Sequence, residues 1–140
     1  MKVALLDSNV LLALAWPNHQ HHEAAHRWFH KESRHGWATC AATEISFVRL
    51  SSNPAYTRSS VTPVEAAALL RRWTEHRDHR FWKSSPADDP AIFRNAFGHQ
   101  QVMDAWLVRA AFENDGRLIT FDGALLAHAK AGGLVELLRG

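Results

Sequence analysis

A chain of 140 residues with 46% hydrophobic and 21% charged residues is long enough to bury one core and too apolar to be disordered. Its 16 Lys and Arg against 14 Asp and Glu leave a formal charge of +2, which selects no partner by itself. A single cysteine, Cys40, excludes an internal disulfide, and no uninterrupted apolar run is long enough to span a bilayer.

The opening, MKVALLDSNVLLALAW, imitates an export signal with a lysine, an apolar stretch and Ala13-Leu14-Ala15. Asp7 and Asn9 interrupt that stretch and argue for a chain that stays in the cytoplasm. Residues 3–6 read as a buried strand. Asn18 is placed to cap a helix over about 20–31, with Ala25, Trp28 and Phe29 on its apolar side, and Gly36 stops it. Residues 37–41 read as a second strand, with Cys40 a small buried residue within it. A short helix over 44–51 ends before Asn53-Pro54.

Thr62-Pro63-Val64-Glu65 combines a capping box with proline at the first helical position and starts the clearest helix, to about His76. A third strand follows over 80–83, a loop over 86–90 and a helical turn over 90–95. Residues 102–114 form a helix ending before Gly116, and 117–120 a fourth strand. A helix over 123–131 is stopped by Gly132-Gly133, and 134–138 form a last strand. Strands alternating with helices in one small unit imply an α/β sandwich with a central, mainly parallel sheet. No internal repeat or linker divides the chain.

Residues 15–30, AWPNHQHHEAAHRWFH, hold five histidines, and His22, His26 and His30 recur at the spacing of one helical face. Zinc sites prefer nitrogen and sulfur ligands closed to four, and no cysteine lies near. The face is therefore read as solvent-exposed. Arginines and lysines outnumber acids between residues 49 and 113. Composition alone supports equally a basic rim for nucleic acid and an ordinary solvated surface.

The acids fall in a pattern. Asp7 directly follows the first strand (LLDSN), Glu44 follows the second by a few residues (CAATEIS), and Asp122 follows the fourth (LITFD). Asp104 stands in the first turn of the helix before that strand (QVMDAWL). Ligands of open parallel sheets bind beyond the carboxyl ends of the strands, so four acids distant in sequence can meet in one cleft. Converging carboxylates repel, and a divalent cation removes the repulsion; all-oxygen ligands suit Mg²⁺ or Mn²⁺. Such an ion can activate water and steady a phosphodiester under in-line attack, as a metal-dependent nuclease requires. Each acid also has a plain structural role. Asp7 and Asp122 fit turns, and Asp104 and Glu44 suit helix N-termini.

LLDSNVLLAL resembles the opening of PIN domains, a family of small metal-dependent ribonucleases. ATEISFVRL, QVMDAWLVRAA and LITFDGALL resemble its second, third and fourth acidic motifs, in order and over nearly the whole chain. The length is similar to that of the VapC-type toxins of bacterial toxin–antitoxin modules. The resemblance implies a single PIN domain over residues 1–140, a PIN-like α/β/α sandwich, and Mg²⁺ or Mn²⁺ in the acidic pocket. It further implies endonucleolytic cleavage of a tRNA or rRNA loop leaving a 5′-phosphate. The implied partners are a second copy, in a homodimer, and a cognate VapB-type antitoxin lying along the groove. On this chain Asp7 and Asp104 would be the main metal ligands. Asp122 and Glu44 would complete the catalytic quartet, directly or through water, with Asn9 and Thr120 at supporting polar positions. Residues 52–98 carry no motif of the family.

Trp16 and His19 lie a few residues past Asp7, and His99 and Trp106 flank Asp104. Their rings suit contacts to unpaired bases, although Trp106 also suits the core. Two rival readings remain. A haloacid-dehalogenase-like phosphatase also places an aspartate after its first strand, but needs a second acid two residues on, where this chain has Asn9. A non-catalytic RNA-binding module would not need the complete acidic quartet.

Overall fold

The computed structural model describes residues 1–83, 85–129 and 133–140. Five strands, β1 (Ala4–Leu6), β2 (Trp37–Cys40), β3 (His79–Trp82), β4 (Arg117–Thr120) and β5 (Val135–Leu137), form one sheet in the order β3-β2-β1-β4-β5. Every pairing is parallel. The helices are α1 (Ser8–Ala15), α2 (His22–Glu32), α3 (Ala41–Ser51), α4 (Pro63–Thr74) and α5 (Val102–Glu113), with 3₁₀ turns between some of them.

Alternation along β1 splits the core into two layers. Ala4 and Leu6 face Leu12, Trp28, Trp37 and Phe47 beneath α1–α4, while Leu5 faces Trp106, Leu107, Leu118 and Leu125 beneath α5. Leu5, Leu6, Leu118 and Ile119 are fully buried. Each such side chain contributes about 1.5–3 kcal/mol of hydrophobic stabilisation. The expected sandwich with a parallel sheet is what forms.

The first helix, α1, has no counterpart in the sequence reading. SNVLLALA is buried continuously from Val10 to Leu14, so no polar stripe betrays a helical period. Asn18 does not cap α2. That helix starts at His22, its preceding residue makes no side-chain cap bond, and the Asn18 amide instead reaches Ser59. α3 starts three residues earlier than expected, because the Thr43 hydroxyl accepts from the Cys40 backbone N–H and donates to the Cys40 carbonyl. The Thr62–Glu65 capping box forms as read, with Pro63 leading α4. The segment after Asp122 is a 3₁₀ helix (Gly123–His128) rather than an α-helix; residues 130–132, where the longer helix was expected to end, lie outside the described residues.

Two glycines are required by geometry. Gly36 ends the α2 region at φ 92°, in the left-handed region that favours glycine. At Gly116 a Cβ would lie 2.4 Å from the Trp82 ring and 2.8 Å from the Val3 carbonyl oxygen, so only glycine lets β4 start against its neighbours.

Arg117, buried in β4, pairs with Glu136, lies 4.0 Å from Glu32 and packs over the Trp28 ring at 5.7 Å. Histidines from α2 close the end of α1: His22 Nδ1 meets the Ala13 carbonyl at 2.7 Å and His26 Nε2 meets the Leu14 carbonyl at 2.8 Å. Those carbonyls belong to the last turn of α1, where no intrahelical donor serves them. The expected solvent-exposed histidine face holds for His26 and His30 and is corrected for His22, which is half-buried; His22 and His26 also serve as structural caps of α1.

Candidate active site

β1 and β4 are neighbours at the centre of the sheet, so their carboxyl ends deliver Asp7 and Asp122 to one place. Asp7 is the N-cap of α1 and is 8% exposed. Its Oδ1 accepts from the Ser8 backbone N–H at 2.7 Å and its Oδ2 from the Thr120 hydroxyl at 2.8 Å. Thr120 Oγ1 accepts in turn from Asn9 Nδ2 at 3.2 Å and from the Asp122 backbone N–H at 3.0 Å. Asn9 Oδ1 accepts from the Phe121 N–H at 3.2 Å. Asn9 and Thr120 therefore tie the two strand ends together around Asp7. Asp122 caps the following 3₁₀ helix through the Ala124 N–H.

Burial holds the Asp7 carboxyl above its ordinary value; the bonds from Thr120 and Ser8 oppose this, and the charges of Asp104 and Asp122 add to it. Asp104, in the first turn of α5, is raised by partial burial and then by the charge of Asp122, while His128 pulls it down. Three of the four expected acids thus share one electrostatic environment.

Glu44 is bonded to another partner: its Oε2 accepts from the Thr39 hydroxyl at 2.6 Å, and Thr39 also meets His79 Nε2 at 2.7 Å. It lines a groove of about 740 Å³ between α3 and α4, together with Arg49 and Arg71. Of the other expected basic residues, Arg109 is neutralised by Asp89 at 3.3 Å and Glu113 at 3.8 Å.

The aromatic and histidine positions separate. Trp106 is a core residue, 8% exposed, with its indole N–H donating to the Ser85 carbonyl at 3.3 Å. It cannot offer a face to a base without leaving the core, which corrects its place among the RNA contacts. His99 is exposed. Trp16 ends α1, about 13 Å along the axis from Asp7 at roughly 1.5 Å per residue, and its indole N–H donates to Ser51 Oγ at 3.0 Å. Trp16 and His19 line a cavity together, away from the carboxylates.

Sequence reasoning missed two residues here. His128 is buried beside Asp104. A 3₁₀ helix repeats every three residues, so the inward positions Leu125 and His128 are legible only once the helix type is known. The His21 ring stacks on Phe121 with centroids 4.4 Å apart, next to Asp122, and no sequence pattern marks that contact.

Among the described residues no three His, Cys, Asp or Glu side chains close around a metal ion by themselves. Mg²⁺ keeps several waters and is held by one or two carboxylates plus substrate phosphate. A buried, proton-favouring Asp7 beside Asp104 and Asp122 is a hard-oxygen donor set of that open kind, and the residues fit such an ion.

The PIN domain family model matches residues 4–131. Ribonuclease VapC39 of Mycobacterium tuberculosis is 48% identical over 141 residues, covering 96% of this chain and 99% of the relative. Ribonuclease VapC44 of the same organism is 41% identical, with 92% of each chain covered. The crystal structure of PAE2754 from Pyrobaculum aerophilum superposes with a TM-score of 0.62 at 22% identity, over 96% of this chain and 83% of that one, and speaks for the fold alone. With two acids at the strand ends of a parallel sheet, a third in the first turn of α5, and relatives alike along nearly their whole length, the chain belongs to the PIN-domain family, in its VapC branch.

Proposed function

We propose that residues 1–140 are one PIN domain acting as the endoribonuclease toxin of a type II toxin–antitoxin module. Its substrate is a loop of structured RNA, tRNA or rRNA, its cofactor Mg²⁺ or Mn²⁺, and its place the cytoplasm; no helix among the described residues is long and apolar enough to cross a membrane. The observation that carries the reading is the convergence of Asp7 and Asp104 on Asp122, where burial and neighbouring charge make the Asp7 and Asp104 anions costly. Relatives named ribonucleases support it.

Asp7, Asp104 and Asp122 would hold the ion, with Glu44 completing the site through water. When bound, the ion supplies an acidified water and neutralises charge on the phosphodiester. Thr120 holds Asp7 Oδ2, and Asn9 holds Thr120, so the carboxylate keeps its orientation as the phosphate enters. Arg49 and Arg71, beside Glu44, are placed to take the RNA backbone. Water adds to phosphorus, the bond to the 3′ oxygen breaks, that oxygen takes a proton, and the 5′-phosphate remains on the other product. The Asn9 side-chain amide donates one hydrogen bond through Nδ2 and accepts another at Oδ1 and supplies no acid, which argues against the phosphatase reading.

The partners proposed are a second copy and a VapB-type antitoxin that inserts an arginine among the three aspartates, where a guanidinium pairs with carboxylates. The deciding experiment is RNA cleavage by the purified chain in Mg²⁺ and in chelator, with Asp7→Asn and Asp122→Asn beside it. Cleavage that persists in chelator, or in both variants, would overturn the nuclease reading. Antitoxin affinity unchanged by Asp122→Arg would move that contact elsewhere.

A further inference from the structure

A cavity of about 380 Å³ opens where α1 ends, between the 17–21 loop and the 52–61 loop. Trp16, Tyr56, His19, Gln20, Thr57 and Arg58 are among its walls, and among the described residues that line it none is acidic. The indole of Trp16 is held in one orientation by its bond to Ser51 at 3.0 Å. His19 Nδ1 accepts from the His21 backbone N–H at 3.0 Å, so its ring proton sits on Nε2 and that nitrogen is a fixed donor. Burial also lowers the His19 pKa, keeping the ring in this neutral form. The loop carrying Tyr56 is itself ordered, since the Tyr56 and Thr57 backbone N–H groups donate to the Asn53 carbonyl at 3.0 and 3.1 Å.

Two aromatic rings, amide and hydroxyl groups for a base edge, and one arginine that makes no ion pair among the described residues are the chemistry of a flipped-out nucleotide. α1 fixes the spacing to the carboxylates. Roughly 13 Å along the axis corresponds to about three or four stacked nucleotides at about 3.4 Å each. We propose that this cavity takes one unpaired nucleotide of the RNA chain, a few nucleotides from the bond that is cut, and so contributes to the choice of loop. The proposal rests on the ribonuclease reading for its ligand and adds Tyr56 as a specificity-determining residue and Arg58 as a contact to the RNA backbone.

The test is binding of a short labelled single-stranded RNA in chelator, so that no cleavage is needed, with an abasic residue moved along the RNA one position at a time. One abasic position should weaken binding to the wild type by roughly tenfold, the scale of one base–aromatic stack. Tyr56→Ala should weaken the intact RNA by a similar factor and lose nothing further from that abasic position. Arg58→Ala should weaken all RNAs alike and flatten the salt dependence. Trp16→Phe, which keeps a ring, should retain more affinity than Trp16→Ala.

A flat abasic scan, or an abasic loss fully retained in Tyr56→Ala, would overturn the proposal. Competition by free AMP or UMP as strong as that of the RNA would make the cavity a mononucleotide site instead. Tyr56→Ala that binds RNA normally but loses affinity for a VapB-type antitoxin would make it a protein-docking site. Normal cleavage in Mg²⁺ with a flat scan would sink the cavity and spare the nuclease reading. The converse, a positive scan without cleavage, would sink only the nuclease.

Discussion

The Thr120 hydroxyl donates to Asp7 Oδ2 at 2.8 Å, joining the last residue of β4 to the residue that follows β1. Thr120 is fully buried and the same oxygen serves Asn9 and the Asp122 backbone. Thr120→Val keeps the shape and leaves all three partners without a bond. It should cost about 1–3 kcal/mol in urea unfolding. It should also raise the Asp7 carboxyl further, because the Thr120 bond lowers it. The acid limb of the pH–rate profile should then move upward, and Thr120→Ser should restore both readouts.

Asp7 also sets a pH dependence. Its folded pKa is raised, above about 3.9 for the unfolded chain. Below the unfolded value both states are protonated and the residue costs nothing. As pH rises from about 4 toward the raised folded value, the unfolded chain ionises first and stability falls; above that value the loss is complete and constant. Melting curves in chelator should show this decline in the wild type and not in Asp7→Asn. A wild type whose stability rises over that window would contradict the burial argument.

Asp104→Asn removes one charge from the shared environment with little change of shape. In chelator it should match or exceed the wild type in Tm, because burial and the charge of Asp122 both disfavour the anion. With Mg²⁺ at ten times its Kd the wild type gains about 1.4 kcal/mol, the variant gains less, and the order reverses or the gap narrows. RNA cleavage should fall by orders of magnitude. A variant that melts well below wild type in chelator would identify Asp104 as a structural cap of α5.

Alanine at His22, His26 and His30 together should separate stability from chemistry. The Ala13 and Leu14 carbonyls lose their partners, so unfolding should become easier by about 1–3 kcal/mol. Mg²⁺-dependent cleavage should survive within about tenfold, or about 1.4 kcal/mol in the barrier. Loss of all activity in a folded triple variant would show that the histidines act in the site.

Glu136→Ala should destabilise through Arg117. Removing one member of a fully buried pair costs about 3–5 kcal/mol, and the loss here should fall below about 3 because the Glu136 side chain is 39% exposed and Glu32, 4.0 Å from the guanidinium, remains. Adding Glu32→Ala should cost more than the sum of the two single changes, read by denaturant unfolding.

What the chain disclosed in advance was what local chemistry decides. β4 was read over its observed residues, the Thr62–Glu65 cap was plain, and Asp7, Asp104 and Asp122 could be located against strand ends. What stayed hidden depends on contacts made far away. α1 has no polar face, so it reads like any apolar run. Glu44 sits in the expected turn, and its side chain is bonded by the Thr39 hydroxyl, which His79 also meets, a contact no local pattern announces. Trp106 follows Asp104 by two residues, and a helix turns positions two apart to different faces, so its neighbour in sequence is not its neighbour in the core.

The central position of β1 bears on how such a chain is made. Asp7 is synthesised early, and the hydroxyl that orients it arrives 113 residues later. Closing so long a loop is entropically slow, and β1 cannot find β4 before β4 exists. On the ribosome, a nascent chain of this topology therefore holds Asp7 apart from Asp104 and Asp122 until α5 and β4 have been made. Asp7 lacks the hydroxyl that orients it until β4 has emerged.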